Sequence, residues 1–145
     1  MNRFEFWQQW LLWVSVAVAA FGLAMAVFSN TPLFSWMNSQ IDPVFWNASV
    51  TNSAVVSFRT WIYAVLGAAV LGWSVTLAFI ANYPFKKKEK WSWQAIAYGM
   101  FAWYVLDTWF FLSFRVYFSA ALNTVLFVLV MLPLIMTYKT FWDKR

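Results

Sequence analysis

The sequence predicts an all-α integral membrane protein: a four-transmembrane-helix bundle with an outer loop containing a short interfacial helix. Apolar residues make up 63% of the 145 residues and charged residues only 10%. Three stretches, 6–41, 60–85 and 116–138, contain no charged residue, and a fourth, 91–114, contains a single one. A spanning helix needs about 20 apolar residues, so each stretch is long enough. We therefore expect one domain, 1–145, with spans at about 7–28, 58–83, 92–112 and 116–138.

The first span resembles a secretory signal, because Arg3 precedes it and Ala24-Met25-Ala26 has the small residues of a cleavage site. Its apolar run, 7–28, exceeds the roughly 7 to 15 residues of a typical signal core. We therefore expect a retained transmembrane helix.

Residues 29–56 form the predicted outer loop, which contains Pro32 and Pro43. Apolar residues between the prolines are too frequent for a free linker: Leu33, Phe34, Trp36, Met37 and Ile41. A short helix on the membrane surface, or folded back as a lid, would bury them.

Small residues recur at helical spacing in the first two spans and predict close packing between them. In the first span they are Ser15, Ala19, Gly22 and Ala26, and in the second Ala64, Ala68 and Gly72. A seam between copies of the chain is the alternative.

Basic residues predict the orientation. Eight lie on the side of the two termini and the second loop: Arg3, Lys86, Lys87, Lys88, Lys90, Lys139, Lys144 and Arg145. Only Arg59 and Arg115 lie on the other side. The positive-inside rule places the first group in the cytoplasm. We therefore expect a multi-pass protein of a bacterial inner membrane with both termini cytoplasmic.

Asp107 is the acidic residue that the pattern places at membrane depth. A rise of 1.5 Å per residue puts it about 24 Å from Trp91 in a hydrocarbon core about 30 Å thick. An ionisable group there costs on the order of 3 kcal/mol on insertion scales, so it is usually partnered and often functional. We expect an ion pair with Arg115 or Arg59, as a clamp between helix ends or as part of a ligand site.

Further polar and aromatic residues occur at the same depth. Arg115, Ser119 and Asn123 recur every four residues and form one stripe, while Trp103 and Tyr104 lie near Asp107 on its helix. The predicted site is an outer-half pocket covered by residues 36–46, with these ligand-binding residues: Asp107, Arg115, Arg59, Asn123, Ser119, Trp103 and Tyr104. An acid framed by aromatic rings suits a lipophilic cation or an amphiphile with a polar end.

The chain contains no cysteine or histidine, which excludes disulfides, thiol nucleophiles and the usual zinc sites. We expect no cofactor, no metal site, no catalytic residues and no nucleic-acid partner. The expected function is non-enzymatic: binding a lipid-like or amphiphilic molecule, or docking a membrane complex. The expected partners are membrane lipids, a hydrophobic small molecule, and a homo-oligomer or a larger membrane complex. The alternatives are a small oligomeric transporter or channel with Asp107 as coupling residue, and a membrane enzyme that recruits Asp42 from the loop onto Asp107.

Overall fold

The computed structural model describes residues 2–46 and 52–142, and this part of the chain is helical without strands. Its helices are α1 (Arg3–Phe28), α2 (Pro32–Trp46), α3 (Ser53–Asn82), α4 (Lys90–Ser113) and α5 (Tyr117–Trp142). The four helices α1, α3, α4 and α5 are long and apolar enough to cross a membrane. The predicted fold class is therefore confirmed, including the short helix in the first loop, and the chain is a multi-pass membrane protein.

The two ends of the bundle differ in composition. One end carries the start of α1, the loop between α3 and α4, and the end of α5, and we call it the basic end. The other carries α2 and the turn between α4 and α5, and we call it the α2 end.

At the basic end Asn2 caps α1: its side chain accepts a hydrogen bond from the Glu5 amide at 2.8 Å, and the Glu5 carboxylate accepts one from the Asn2 amide.

The spanning helices pack as two pairs. α1 packs along α3, α4 packs along α5, and contacts between α1 and α5 join the pairs, whereas α3 and α4 make few contacts. The buried apolar core lies mostly toward the basic end. Its members are Leu11, Leu77, Ala81, Phe85, Ile96, Ala97, Met100, Val130, Leu134 and Phe141.

Close approach of α1 and α3 depends on Gly22 and Gly67. A Cβ added to Gly22 would lie 2.7 Å from the Leu71 amide nitrogen, and one added to Gly67 would lie 2.6 Å from that of Ala26. The predicted packing of the first two spans is thus observed. The predicted stripe on the second span is wrong in part, because Gly72 has no atom within 4 Å of an added Cβ and Gly67 makes the contact instead.

Side-chain donors satisfy backbone carbonyls that the helices leave open. Pro133 lies within α5 and has no amide hydrogen to give to the carbonyl of Leu129, four residues earlier. The indole of Trp10 on α1 donates to that carbonyl at 3.1 Å. Near the end of α3, the fully buried Gln8 side chain donates to the Ala81 carbonyl at 3.1 Å. Both bonds tie α1 to a neighbouring helix.

Helix α2 packs back onto the bundle through one stripe. Phe34, Asn38 and Asp42 recur every four residues and are its buried members. Asn38 accepts a hydrogen bond from the Tyr63 hydroxyl at 3.0 Å. Arg59 Nη1 donates to both carboxylate oxygens of Asp42, at 2.8 and 2.6 Å. The polar stripe therefore anchors α2 to α3.

Candidate functional site

A hydrogen bond between α4 and α5 forms the centre of the candidate site. The Asn123 side-chain amide donates to Asp107 Oδ2 at 2.7 Å, and both residues are half-buried. Among the described residues it is the only hydrogen bond to a carboxylate oxygen of Asp107. The second carboxylate oxygen and the Asn123 carbonyl oxygen thus remain available as acceptors.

Both residues face the axis of the bundle. Asp107 lies seven residues from Met100, and Asn123 lies seven residues from Val130. Seven residues are close to two helical turns, so each polar residue shares a face with a fully buried core residue about 10 Å away. Met100 is 1% exposed and Val130 is 0% exposed. The apolar core therefore ends, and a polar pair begins, on the same faces of α4 and α5.

Aromatic residues border the pair on its basic-end side. Tyr104 stacks on Phe127 with ring centroids 4.2 Å apart, and its hydroxyl is 3.2 Å from Thr124 Oγ1. Trp103 stacks on Trp73 of α3 at 6.1 Å. Tyr104 thus belongs to the α4–α5 seam, while Trp103 reaches across to α3 one turn below Asp107.

Helix α2 extends over this end of the bundle. Trp36 contacts Phe118 of α5 edge to face, with ring centroids 4.8 Å apart, and Phe45 contacts Phe114 at 6.1 Å. Ser119 lies on α5 four residues before Asn123 and is half-buried. α2 therefore spans from α3, where its ion pair holds it, to the start of α5.

The predicted ion pair of Asp107 with an arginine is wrong. Arg59 pairs with Asp42, whose side chain is 7% exposed, while the Arg59 side chain is 16% exposed. Arg115 is exposed and lies in the α4–α5 turn with φ of 62°. α2 places Asp42 against Arg59, so Arg59 does not pair with Asp107. The partner of Asp107 is the amide of Asn123. The structure therefore brings Asp107 and Asn123 into contact, while Tyr104 contacts Thr124 and Phe127 nearby and Arg59 contacts Asp42.

Two pockets in the described part of the chain have other linings. One is a groove of about 720 Å³ along α1. The other, of about 50 Å³, lies between α3 and α4 on the basic-end side of the Trp73–Trp103 pair, beside Leu77, Ile96 and Met100. Neither pocket is lined by Asp107 or Asn123, whose side chains are both half-buried. The covered pocket that the sequence indicates at this level of the bundle stays a prediction.

The polar contacts of α2 were missed at the level of sequence, where Asp42 was assigned to a loop. A signal was present, because Asn38 and Asp42 are four residues apart and so are Arg59 and Tyr63. Two such pairs on neighbouring helices can form two bonds at once. Gln8 was also missed, since its partner is a backbone carbonyl and no sequence pattern marks it.

The arrangement provides the hydrogen-bond acceptors of one acid and one amide. Asp107 has one amide neighbour, and Asp42 is held by Arg59 away from it. In the described residues no group of three or more acidic side chains could hold a metal ion. The site therefore offers hydrogen-bond acceptors to a donor group. Comparison of the chain with protein-family models, curated proteins and solved structures found no match.

Proposed function

We propose that this protein is a non-enzymatic membrane protein that binds an amphiphile with a cationic, hydrogen-bond-donating end. The polar end binds to Asp107 and Asn123, and the apolar body lies against the aromatic residues of α4 and α5. One observation carries the proposal: a hydrogen-bonded acid and amide face the bundle axis where the apolar core ends.

The preference for a cation follows from the charge at the site. Of the two arginines that the sequence places near Asp107, Arg59 is engaged by Asp42, and Arg115 is exposed in the α4–α5 turn. Asp107 has only the neutral amide of Asn123 as its hydrogen-bond donor among the described residues. In a medium of low dielectric a positively charged donor stabilises a carboxylate more than a neutral donor does, because charge-assisted hydrogen bonds are about twice as strong as neutral ones. An ammonium group supplies both the charge and the donors.

The preference for an apolar body follows from the surroundings. Trp103 and Trp73 form an aromatic base below the polar pair, and the ring of Tyr104 borders it. Because α3 and α4 make few contacts, an amphiphile can enter sideways from the bilayer. Apolar and aromatic surface with a few placed polar groups is the usual composition of a small-molecule site.

The proposed location is a bacterial inner membrane with the basic end in the cytoplasm. Arg3, Lys86, Lys87, Lys88, Lys90 and Lys139 lie at that end, while Arg59 and Arg115 lie toward the α2 end. This asymmetry supports cytoplasmic termini under the positive-inside rule. The site then faces the outer leaflet, and the ligand comes from there.

A transporter or channel is the weaker candidate. A polar route from Asp107 to the basic end would have to pass Met100, Val130 and Leu134, which are apolar and nearly completely buried. Ser74 is also buried, but its hydroxyl donates to the Val70 carbonyl of its own helix. The packing therefore favours a site that binds over a path that conducts.

Binding of dodecylammonium to the protein in lipid nanodiscs tests the proposal, with dodecanoate and dodecanol as probes of equal chain length. The parent is expected to prefer dodecylammonium, and Asp107→Asn to lower its affinity about tenfold or more. Glu89→Gln is the matched control, because it removes an exposed acid at the basic end. Equal binding of the three probes, or an unchanged affinity in Asp107→Asn, would overturn the proposal in favour of docking to a membrane complex.

A further inference from the structure

A second feature of the molecule lies at the opposite end of the bundle, on α1. The groove of about 720 Å³ is lined by Phe6, Gln9, Trp10, Trp13, Val14 and Ala17. These residues recur at three- and four-residue intervals and so form one face of the helix. Trp13 is 67% exposed and Phe6 is 42% exposed, so the groove opens to the side of the bundle.

The groove has a fixed wall. Trp10 is held by the bond from its indole to the Leu129 carbonyl, which Pro133 leaves open. Its ring therefore keeps one position between α1 and α5, and it contacts the rings of Phe6 and Trp7 at centroid distances of 6.3 and 6.1 Å. A preformed apolar surface of this kind loses little freedom when an alkyl chain binds to it.

A positive charge lies at the basic end of the groove. Arg3 is seven residues before Trp10, two turns away on the same face of α1. Its Nη2 is 3.6 Å from the sulfur of Met136, a neutral acceptor that does not compensate the charge. Lys139 follows Met136 by about one turn of α5 and is exposed at the same end. The entrance therefore presents two cationic side chains.

The dimensions fit one leaflet. From residue 6 to residue 17 the groove rises about 16 Å, close to half of a hydrocarbon core about 30 Å thick. Gln9 is the one polar side chain of the lining, and its amide donates to Gln8 at 3.3 Å, which leaves its second amide hydrogen available. It lies about 9 Å from Arg3 along the axis. A phosphate, an ester carbonyl and an acyl chain follow each other in this order in a phospholipid.

We propose that this groove is a binding site for an anionic phospholipid of the leaflet at the basic end. Arg3 and Lys139 hold the phosphate, Gln9 donates to an ester carbonyl, and an acyl chain lies along Trp10, Trp13 and Ala17. Charge complementarity selects an anionic lipid over a zwitterionic one with the same chains. This site is separate from Asp107, which lies toward the other end of the bundle.

Native mass spectrometry of the detergent-solubilised protein tests the assignment, with phosphatidylglycerol and phosphatidylcholine of identical acyl chains as probes. The parent should retain phosphatidylglycerol preferentially. Arg3→Gln should lower its apparent affinity about fivefold, the effect of one cationic side chain near an anionic headgroup. Ala17→Trp should lower retention of phosphatidylglycerol to a similar extent by filling the groove.

Matched variants make the outcome decisive. Lys86→Gln removes the same charge at the same end, and Ala69→Trp adds the same ring to an exposed position of α3. Both should retain phosphatidylglycerol as the parent does. The proposal would be overturned if the parent retained the two lipids equally. It would also be overturned if Arg3→Gln and Lys86→Gln, or Ala17→Trp and Ala69→Trp, lost phosphatidylglycerol to the same extent.

Discussion

The side-chain amide of Asn123 lies 2.7 Å from the carboxylate of Asp107, and this bond connects α4 and α5 within the apolar part of the bundle. The sequence predicted an arginine as the partner of Asp107, and the observed partner is the neutral amide of Asn123. The expected effect of substitutions on stability changes accordingly, because a neutral donor does not compensate the charge of a carboxylate.

Asn123→Leu is expected to lower the free energy of unfolding modestly, by about 0.6 to 1.7 kcal/mol, the range of interhelical hydrogen bonds in membranes. Asp107→Asn should cost less than this, because an amide at position 107 can still accept the Asn123 bond. Unfolding in mixed micelles of increasing denaturing detergent measures both. A loss of several kcal/mol in Asp107→Asn would instead indicate an ion pair.

Arg59→Met is expected to be the more damaging substitution, with a loss of about 3 to 5 kcal/mol, because it leaves the carboxylate of Asp42 buried without its partner. The double variant Asp42→Leu/Arg59→Met should recover most of the loss, since no isolated charge remains. The same unfolding assay measures the cycle. Arg115→Met is the control, because Arg115 is exposed, and it should change stability little.

Gly67→Ala is expected to destabilise the protein, because the added Cβ would lie 2.5 Å from the Gly22 carbonyl oxygen and 2.6 Å from the Ala26 amide nitrogen. Backbone atoms cannot move aside as a flexible side chain can, so α1 and α3 must separate. Gly72→Ala lies on the same helix with open space around it and should be neutral, or stabilising by up to about 1 kcal/mol. Thermal unfolding of the two variants compares them directly. Equal melting temperatures would contradict the close α1–α3 contact.

The orientation is expected to place Lys87 in the cytoplasm and Leu33 outside. The sequence has no cysteine, so single cysteines at these positions report without background. Both residues are exposed, and Leu33 is 69% exposed on α2. An impermeant thiol reagent added to intact cells should label Leu33→Cys and not Lys87→Cys. The reverse pattern would invert the topology and move the proposed ligand site to the cytoplasmic leaflet.

The lengths of the apolar runs predicted the spanning helices. A segment in a bilayer must form all its backbone hydrogen bonds internally, so a span is one unbroken apolar helix and appears as one unbroken apolar run in the sequence. Helical arithmetic placed Asp107 and Asn123 at the same level of the bundle, and the two side chains are in contact. The partner of Arg59 did not follow, because it depends on how α2 folds back. Register between helices is set by packing, which is also why Gly67 and not Gly72 makes the contact with α1.

The bond from Trp10 to the carbonyl that Pro133 leaves open has a consequence for how the sequence can evolve. A residue other than proline at 133 would restore the backbone hydrogen bond within α5, and the Leu129 carbonyl would no longer need the indole as its donor. Phenylalanine at position 10 is then tolerated only in that background. The two positions, 123 residues apart along the chain, should therefore change together, with the order of substitution fixed: proline leaves first, and tryptophan follows.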